Sequence, residues 1–544
     1  MKSIPDFLRD FECSRRQDGR SGARRFAMRS NVAAICAIAI CALFAGATAS
    51  AAAATDSTAP VVKTRTGEVR GLVKGNVREF LGVPYAAPPV GAMRWRAPLA
   101  LPSWRGVRDA TKFGSSCAQM DFRGARVKGS EDCLYLNIYT PNPPGAGLPV
   151  MVWIHGGTFL VGSGSSYDGS KLAERGKLVF VAINYRLGPF GFLASPALDS
   201  GDAKHTFGNY GLLDQQAALQ WVKENIAAFG GNPKNVTVAG ESAGAISAGL
   251  HLVSPASAGL FERAILESGP FLHIRTATDA QQRASELESA LGCAGVGQAA
   301  KCLRAKSTEE ILRAIPASPI GQPVWWPIVD GRLIPSQPAD ALAAGRFNRV
   351  AVINGSNRDE GSLFLAFGHQ QSAAEFETRA KARFGANAAR VLAAYPETGY
   401  VSPTQAAAAG FGDQYFSCQI LRAGDLLAAK VPVYQYEFND PHAPNHFIRN
   451  PPFPMRAFHS SEIQYVFGAA ADNAGLTDAQ RKLSEAMMAY WVGFITSGDP
   501  GGAPAWTKLT PSDPKILLLA PGAISYEKDF SELHHCALWD SIPR

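Results

Sequence analysis

The chain has 544 residues, of which 46% are hydrophobic and 18% charged, with a formal net charge of +7. That is ordinary globular composition with ample material for a large core, and it excludes a disordered or fibrous chain. The first 54 residues hold eight of the Lys/Arg and four of the Asp/Glu, so the remainder carries only +3 and implies no nucleic-acid partner.

Residues 1–30 include Arg24, Arg25 and Arg29, and an uncharged run follows from Val32 to Ala54, with Ala47-Thr48-Ala49 near its end. A basic start, an apolar stretch and small residues at a cleavage point describe a secretory signal peptide over 1–54, with Met28 a candidate true start. The rival reading, an uncleaved anchor, is disfavoured by the small-residue end. The mature chain, 55–544, shows no linker, repeat or block of like charge, so one domain with long insertions is expected, exported to the periplasm or secreted. Nine cysteines are present. Cys13, Cys36 and Cys41 leave with the signal, and the six that remain suggest disulfides in an oxidising compartment, although the sequence alone does not choose their pairing. No Cys-x2-Cys spacing points to zinc.

Along the mature chain, Val61 to Val73 reads as a hairpin turning at Thr66-Gly67. Strands are expected at Leu134–Tyr139, Pro149–Ile154, Leu178–Tyr185, Val236–Ala239, Arg349–Asn354 and Val431–Phe438. Helices are expected at Leu212–Phe229, Ala280–Leu291, Thr308–Ile315, Ala373–Leu392 and Asp478–Ser497. Strands alternating with helices predict an α/β fold with a mostly parallel sheet, in which chemistry gathers at the carboxyl ends of the strands.

One such end carries Gly240-Glu241-Ser242-Ala243-Gly244, between the apolar run Val236–Ala239 and a helix-compatible stretch from Ala243 to Leu252. Small residues two positions either side of Ser242 let the backbone turn sharply and push the hydroxyl out of the sheet, which makes Ser242 a candidate nucleophile. The alternative is an idle serine on a Gly-rich turn. A serine hydroxyl needs a base, and the base needs an acid to hold it. Downstream, Asp359 and Glu360 follow the strand Arg349–Asn354, and the pattern does not choose between them. Six histidines follow: His369, His442, His446, His459, His534 and His535. Upstream, Ile154-His155-Gly156-Gly157 ends a buried strand, where glycines let backbone N–H groups approach a developing oxyanion.

The chain resembles the type B carboxylesterases, the cholinesterase-like branch of the α/β-hydrolases, over nearly all of residues 60–544. The motifs carrying the resemblance are Phe80-Leu81-Gly82-Val83-Pro84-Tyr85-Ala86, Pro88-Pro89-Val90-Gly91, Arg94-Trp95, Ser130 to Asn137, Asn184 to Gly188, Asn209 to Gln215 and Phe229 to Pro233, in family order. The resemblance implies an α/β-hydrolase fold with a large central sheet and helical insertions over the site. It implies Ser242 as nucleophile, Glu360 as acid and His459 as base. Gly156, Gly157 and Ala243 would supply the oxyanion N–H groups. Disulfides would join Cys117–Cys133, Cys293–Cys302 and Cys418–Cys536.

The expected function is hydrolysis of a small-molecule carboxylic ester through an acyl-enzyme, with no metal or organic cofactor, by a monomer or weak oligomer without a membrane anchor. A lipase, or a detoxifying esterase for a bulky natural ester, is the nearest alternative; a non-catalytic binding module is the remote one. Two departures bear on substrate. The loop Ala118–Asp132 is short, has only Phe122 as an aromatic, and carries Arg123, Arg126 and Lys128, which argues against a choline ester. The acyl-pocket region falls at Pro319–Trp326, where Gly321 and Pro323 suggest room for large acyl chains.

Overall fold

The computed structural model describes residues 59–121, 124–199, 208–295, 298–315, 325–468, 476–510 and 514–543. The expected signal segment therefore lies outside the described residues, as do Phe122, Arg123 and most of the acyl-pocket stretch, including Gly321 and Pro323.

An eleven-stranded sheet organises the described residues. In chain order its strands are β1 (Leu72–Lys74), β2 (Val77–Pro84), β3 (Tyr135–Pro141), β4 (Leu148–Ile154), β5 (Val179–Ile183), β6 (Gly231–Glu241), β7 (Arg263–Glu267), β8 (Ala351–Asn357), β9 (Val433–Phe438), β10 (Ile516–Ala520) and β11 (Ala523–Glu527). Across the sheet the order is β11-β10-β9-β8-β7-β6-β4-β5-β3-β2-β1. The span from β10 to β5 is parallel throughout, whereas β11 and the β3-β2-β1 edge run antiparallel. The expected parallel sheet is therefore its centre, and the edges make it mixed. The opening hairpin forms as Val61–Lys63 against Glu68–Arg70, but it joins Val107–Asp109 in a separate small sheet.

The central strands are apolar on both faces because both faces are covered. On β4, Val150, Val152 and Ile154 enter one core with Val181, Ile183, Val236 and Val238; Met151 and Trp153 enter another with Phe180, Ala182 and Ala239. Helices α1 (Tyr210–Asn225) and α2 (Ala243–Val253) pack into the first core. On the second face lies the long helix Asp478–Ser497, through Leu483, Met487, Trp491 and Phe494. It starts at a capping box, where Thr477 and Gln480 satisfy each other's backbone N–H groups. The single helix expected over Ala373–Leu392 is instead two, Ala373–Phe384 and Ala388–Ala394, broken where Gly385 adopts φ 53°.

Disulfides join Cys117–Cys133, Cys293–Cys302 and Cys418–Cys536. No helix among the described residues is long and apolar enough to cross a membrane, and no group of three or more His, Cys, Asp or Glu there could hold a metal ion.

Candidate active site

Strand β6 ends at Glu241 and α2 begins at Ala243, leaving Ser242 alone at the turn with φ 55° and ψ −122°. A non-glycine residue in that conformation is strained, and the surrounding packing enforces it. The Ser242 N–H donates to the Glu267 carbonyl at 2.8 Å, and the Ser242 carbonyl accepts from the Ile246 N–H at 2.8 Å. A Cβ on Gly244 would lie 1.9 Å from the Ile154 carbonyl oxygen, so only glycine lets α2 leave the sheet this close to β4.

Beyond β4, a Cβ on Gly156 would lie 3.1 Å from the Ser242 Cβ, which puts this backbone directly against the serine. Gly157 adopts φ 105°, and its carbonyl accepts from the N–H groups of Leu160 and Val161. Ala243 is the first residue of α2, and its N–H has no partner within its own helix. The loop is held from below by His155, whose ring stacks on Tyr185 at 4.5 Å, while the Tyr185 hydroxyl donates to the His155 carbonyl. Burial pulls the His155 imidazole down to about 4, so it stays neutral at physiological pH.

On the far side of β7, the Glu360 carboxylate is fully buried. One oxygen accepts from the Ser268 hydroxyl at 2.6 Å and from the Asn357 N–H at 2.8 Å; the other faces His459 Nδ1 at 2.6 Å. Its neighbour Asp359 turns away, pairing with Arg456 at 3.2 Å and accepting from the Ala457 N–H. Geometry thus separates two carboxylates that the pattern left equal. The His459 ring is packed between Phe364 and Phe416, each 4.9 Å away centroid to centroid.

The other ring nitrogen, Nε2, lies 3.1 Å from Glu241, whose carboxylate also accepts from the Ser460 hydroxyl at 2.7 Å. Among the described residues no hydrogen bond joins the Ser242 hydroxyl to this ring. Burial disfavours the charged imidazole, but Glu241 and then Glu360 outweigh it, so the His459 pKa stands above its ordinary value. Glu241 is itself pushed up by burial, partly offset by His459 and Ser460.

Three acids in this cluster escaped sequence reasoning: Glu241, Glu267 and Glu462. Glu241 and Glu267 are register partners at the ends of β6 and β7. Glu267 accepts from the Trp491 indole at 2.7 Å, and Glu462 accepts from the Asn357 side-chain amide. The available signal was an acidic residue closing each of two apolar strand runs. The remaining histidines lie elsewhere. His369 is exposed beside Glu375; the His442 N–H donates to Asp440; His446 is exposed; His534 is buried between two carboxylates; His535 follows it with φ 49°. In the basic loop Arg126 pairs with Asp121 at 3.3 Å. Of the acyl-pocket stretch, Trp325 is buried and Trp326 meets Phe159 edge-on at 4.9 Å.

Residues 58–539 match the family model described as the carboxylesterase family. Among curated proteins, the chain is 37% identical to para-nitrobenzyl esterase of Bacillus subtilis, across 81% of this chain and 90% of that one. It is 40% identical to fumonisin B1 esterase of Sphingopyxis macrogoltabida, across 82% and 84% respectively. It is 36% identical to acetylcholinesterase of Bungarus fasciatus, across 88% and 86%.

Proposed function

The chain belongs to the carboxylesterase family and is a carboxylic ester hydrolase, and from that premise we propose that Ser242, Glu360 and His459 form its catalytic triad. The observation that carries this reading is the 2.6 Å contact between His459 Nδ1 and a buried Glu360 carboxylate, with Ser242 at a strained strand-to-helix turn. Glu360 holds the ring through Nδ1, which makes Nε2 the nitrogen that accepts the serine proton. The ring exchanges Glu241 for the Ser242 hydroxyl when substrate enters. Nε2 then takes the hydroxyl proton as the oxygen attacks the ester carbonyl. The oxyanion rests on the N–H groups of Gly156, Gly157 and Ala243, each supplying about 3 kcal/mol in the transition state. Protonated Nε2 returns its proton to the leaving alcohol, and water repeats the cycle on the acyl-enzyme.

Replacing Ser242 with Ala is expected to lower kcat on the order of 10⁴-fold while the protein stays folded. Retained activity rejects the assignment. An organophosphate should label Ser242, and a labelled peptide from another segment would count against it.

Cleavage of residues 1–54, export to the periplasm or medium, and a single catalytic domain over 55–544 complete the proposal. The disulfides support an oxidising compartment. The short loop between Cys117 and Cys133 argues against choline esters. Rates on esters graded in acyl and alcohol size separate a general carboxylesterase from a lipase or an enzyme for one bulky natural ester. The relatives named for para-nitrobenzyl esters and fumonisin B1 make both kinds of probe worth including.

A further inference from the structure

Outside the triad, one other histidine is held by two carboxylates. His534 is buried near the C-terminus, with Nδ1 at 2.5 Å from Asp413 and Nε2 at 2.6 Å from Glu437. Both carboxylates are buried. Glu437, on β9, also accepts from Arg358 Nε at 2.9 Å. Arg358 lies two residues before Glu360, and its N–H donates to the Phe438 carbonyl at 3.0 Å. Its guanidinium also reaches Glu527 on β11 at 2.5 Å. Asp413, on the other side, opens a single π-helical turn, Asp413–Ser417, inserted between the helices Pro403–Gly412 and Cys418–Ala428. Turns of this kind are rare and concentrate at functional sites.

The π turn and the residue before it adjoin the candidate triad. Gly412, just before it, lies against the Glu360–Gly361 backbone: a Cβ there would meet the Gly361 nitrogen at 2.9 Å and the Glu360 Cβ at 3.4 Å. Phe416, within it, packs against the His459 ring at 4.9 Å between centroids, the two planes tilted by 56°. The second Asp413 oxygen accepts from the Tyr395 hydroxyl at 2.7 Å, which in turn accepts from the Trp539 indole at 2.8 Å. The Cys418–Cys536 bridge ties the His534 segment to the helix that follows the turn.

We propose that His534 is a positioning residue for ester hydrolysis: by bridging Asp413 and Glu437 it locks together the two segments that carry Glu360 and that pack on His459. This role rests on the triad reading above. The charged and titratable groups facing the ring or its partners include Asp413 from the π turn, Glu437 from β9, Arg358 and Asp359 from the loop after β8, Glu527 from β11, Tyr395 from the helix end before Pro396 and Tyr400 just beyond it. Burial opposes charge on this ring, but Asp413 and Glu437 outweigh it and push the imidazole up to about 10, so it donates from both nitrogens at neutral pH. A charged donor between two carboxylates gives short, directional bonds that hold their partners more tightly than neutral ones. The acid and the base of a triad must be fixed within a fraction of an ångström, and this clasp sets both from behind.

The test compares the full chain with His534→Gln and Glu437→Gln variants. Competent sites are counted with an organophosphate, kcat per counted site is measured on a nitrophenyl ester, and folding is followed by Tm. For His534→Gln, kcat per counted site is expected to fall about 10- to 100-fold, from a displaced acid and base. KM should change by less than about threefold, since substrate binding is not the interaction lost. A merely architectural histidine would lower Tm and the number of competent sites while leaving kcat per site at the wild-type value, and that result overturns the proposal. Should His534→Gln fail to fold, Glu437→Gln, which keeps the imidazole paired with Asp413, is read by the same criterion. Ser242→Ala run alongside keeps the two claims apart. Activity surviving there rejects the triad, whereas a dead Ser242→Ala with unchanged kcat per site in the His534 variant rejects only the clasp.

Discussion

Glu241 lies against the His459 imidazole, its carboxylate 3.1 Å from the Nε2 that receives the serine proton in the proposed triad. In the proposed triad, the residue preceding the nucleophile therefore sets the resting state of the base. With Glu360 on Nδ1 and Glu241 on Nε2, the ring has an acceptor at each nitrogen, an arrangement that favours the imidazolium. An imidazolium cannot accept the Ser242 proton. The carboxylate that stabilises positive charge late in the reaction thus also holds the base in its inactive form at low pH.

Replacing Glu241 with Gln removes one of the two charges that raise the His459 pKa and keeps the shape of the side chain. The sign follows directly. If His459 is the base proposed above, activity needs its neutral form, its pKa falls in the variant, and the acidic limb of kcat/KM moves to lower pH. The pH profile of kcat/KM on a neutral ester checks this. An unmoved or alkaline-shifted limb would show that Glu241 does not govern the ring. At the plateau the same variant is expected to lose about 10-fold in kcat, because less charge stabilises the transient imidazolium.

Glu267 yields a separate stability prediction. It is fully buried, it accepts from the Trp491 indole through one oxygen, and its other oxygen has no protein partner. Burial pushes its carboxyl up to about 8, against a partial lowering by the indole bond and a further raising by Glu241. A carboxyl whose folded pKa lies above its unfolded value contributes stability that is complete below about pH 4.5 and is lost as pH rises through about 8. Glu267→Gln keeps the bond from Trp491 and cannot ionise. Its Tm relative to wild type should therefore rise with pH across that window and level off above it. Thermal melts of both proteins from pH 5 to pH 9 measure the difference, and a pH-independent gap would contradict an ionising Glu267.

Local grammar made the elbow legible. An apolar run, Gly240, Ser242 and Gly244 specify a turn whose geometry needs no distant partner, and Ser242 indeed takes φ 55°. Five of the seven parallel strands were legible as unbroken apolar runs, since residues there are covered on both faces, but β7 and β10, equally apolar, were not anticipated. What escaped depends on register. Glu241 and Glu267 are 26 positions apart and become neighbours only when β6 pairs with β7, and His534 meets Asp413 only after 121 positions of chain fold back. The edge strand β11 escaped because it is antiparallel, half-exposed and weakly patterned. The break at Gly385 escaped because one glycine in a helical pattern is usually tolerated, and here it takes a left-handed conformation.

Gly244 offers the sharpest test of how the elbow is held. An added methyl would meet the Ile154 carbonyl oxygen at 1.9 Å and the Ile154 carbonyl carbon at 2.7 Å, both backbone atoms at the end of β4. No side-chain rotation relieves contacts with backbone, so α2 must move away from β4 or the Ser242 turn must relax. Either response carries the serine away from Gly156, which it now adjoins. Gly244→Ala is therefore expected to cost on the order of 3 kcal/mol in stability through strain at a special backbone position. Any folded fraction should show kcat reduced about 10²-fold, from a misplaced nucleophile. Denaturant melts and active-site titration of the soluble fraction report the two effects separately. Near-normal stability and turnover together would mean that the close approach of α2 to β4 is not what aims the serine.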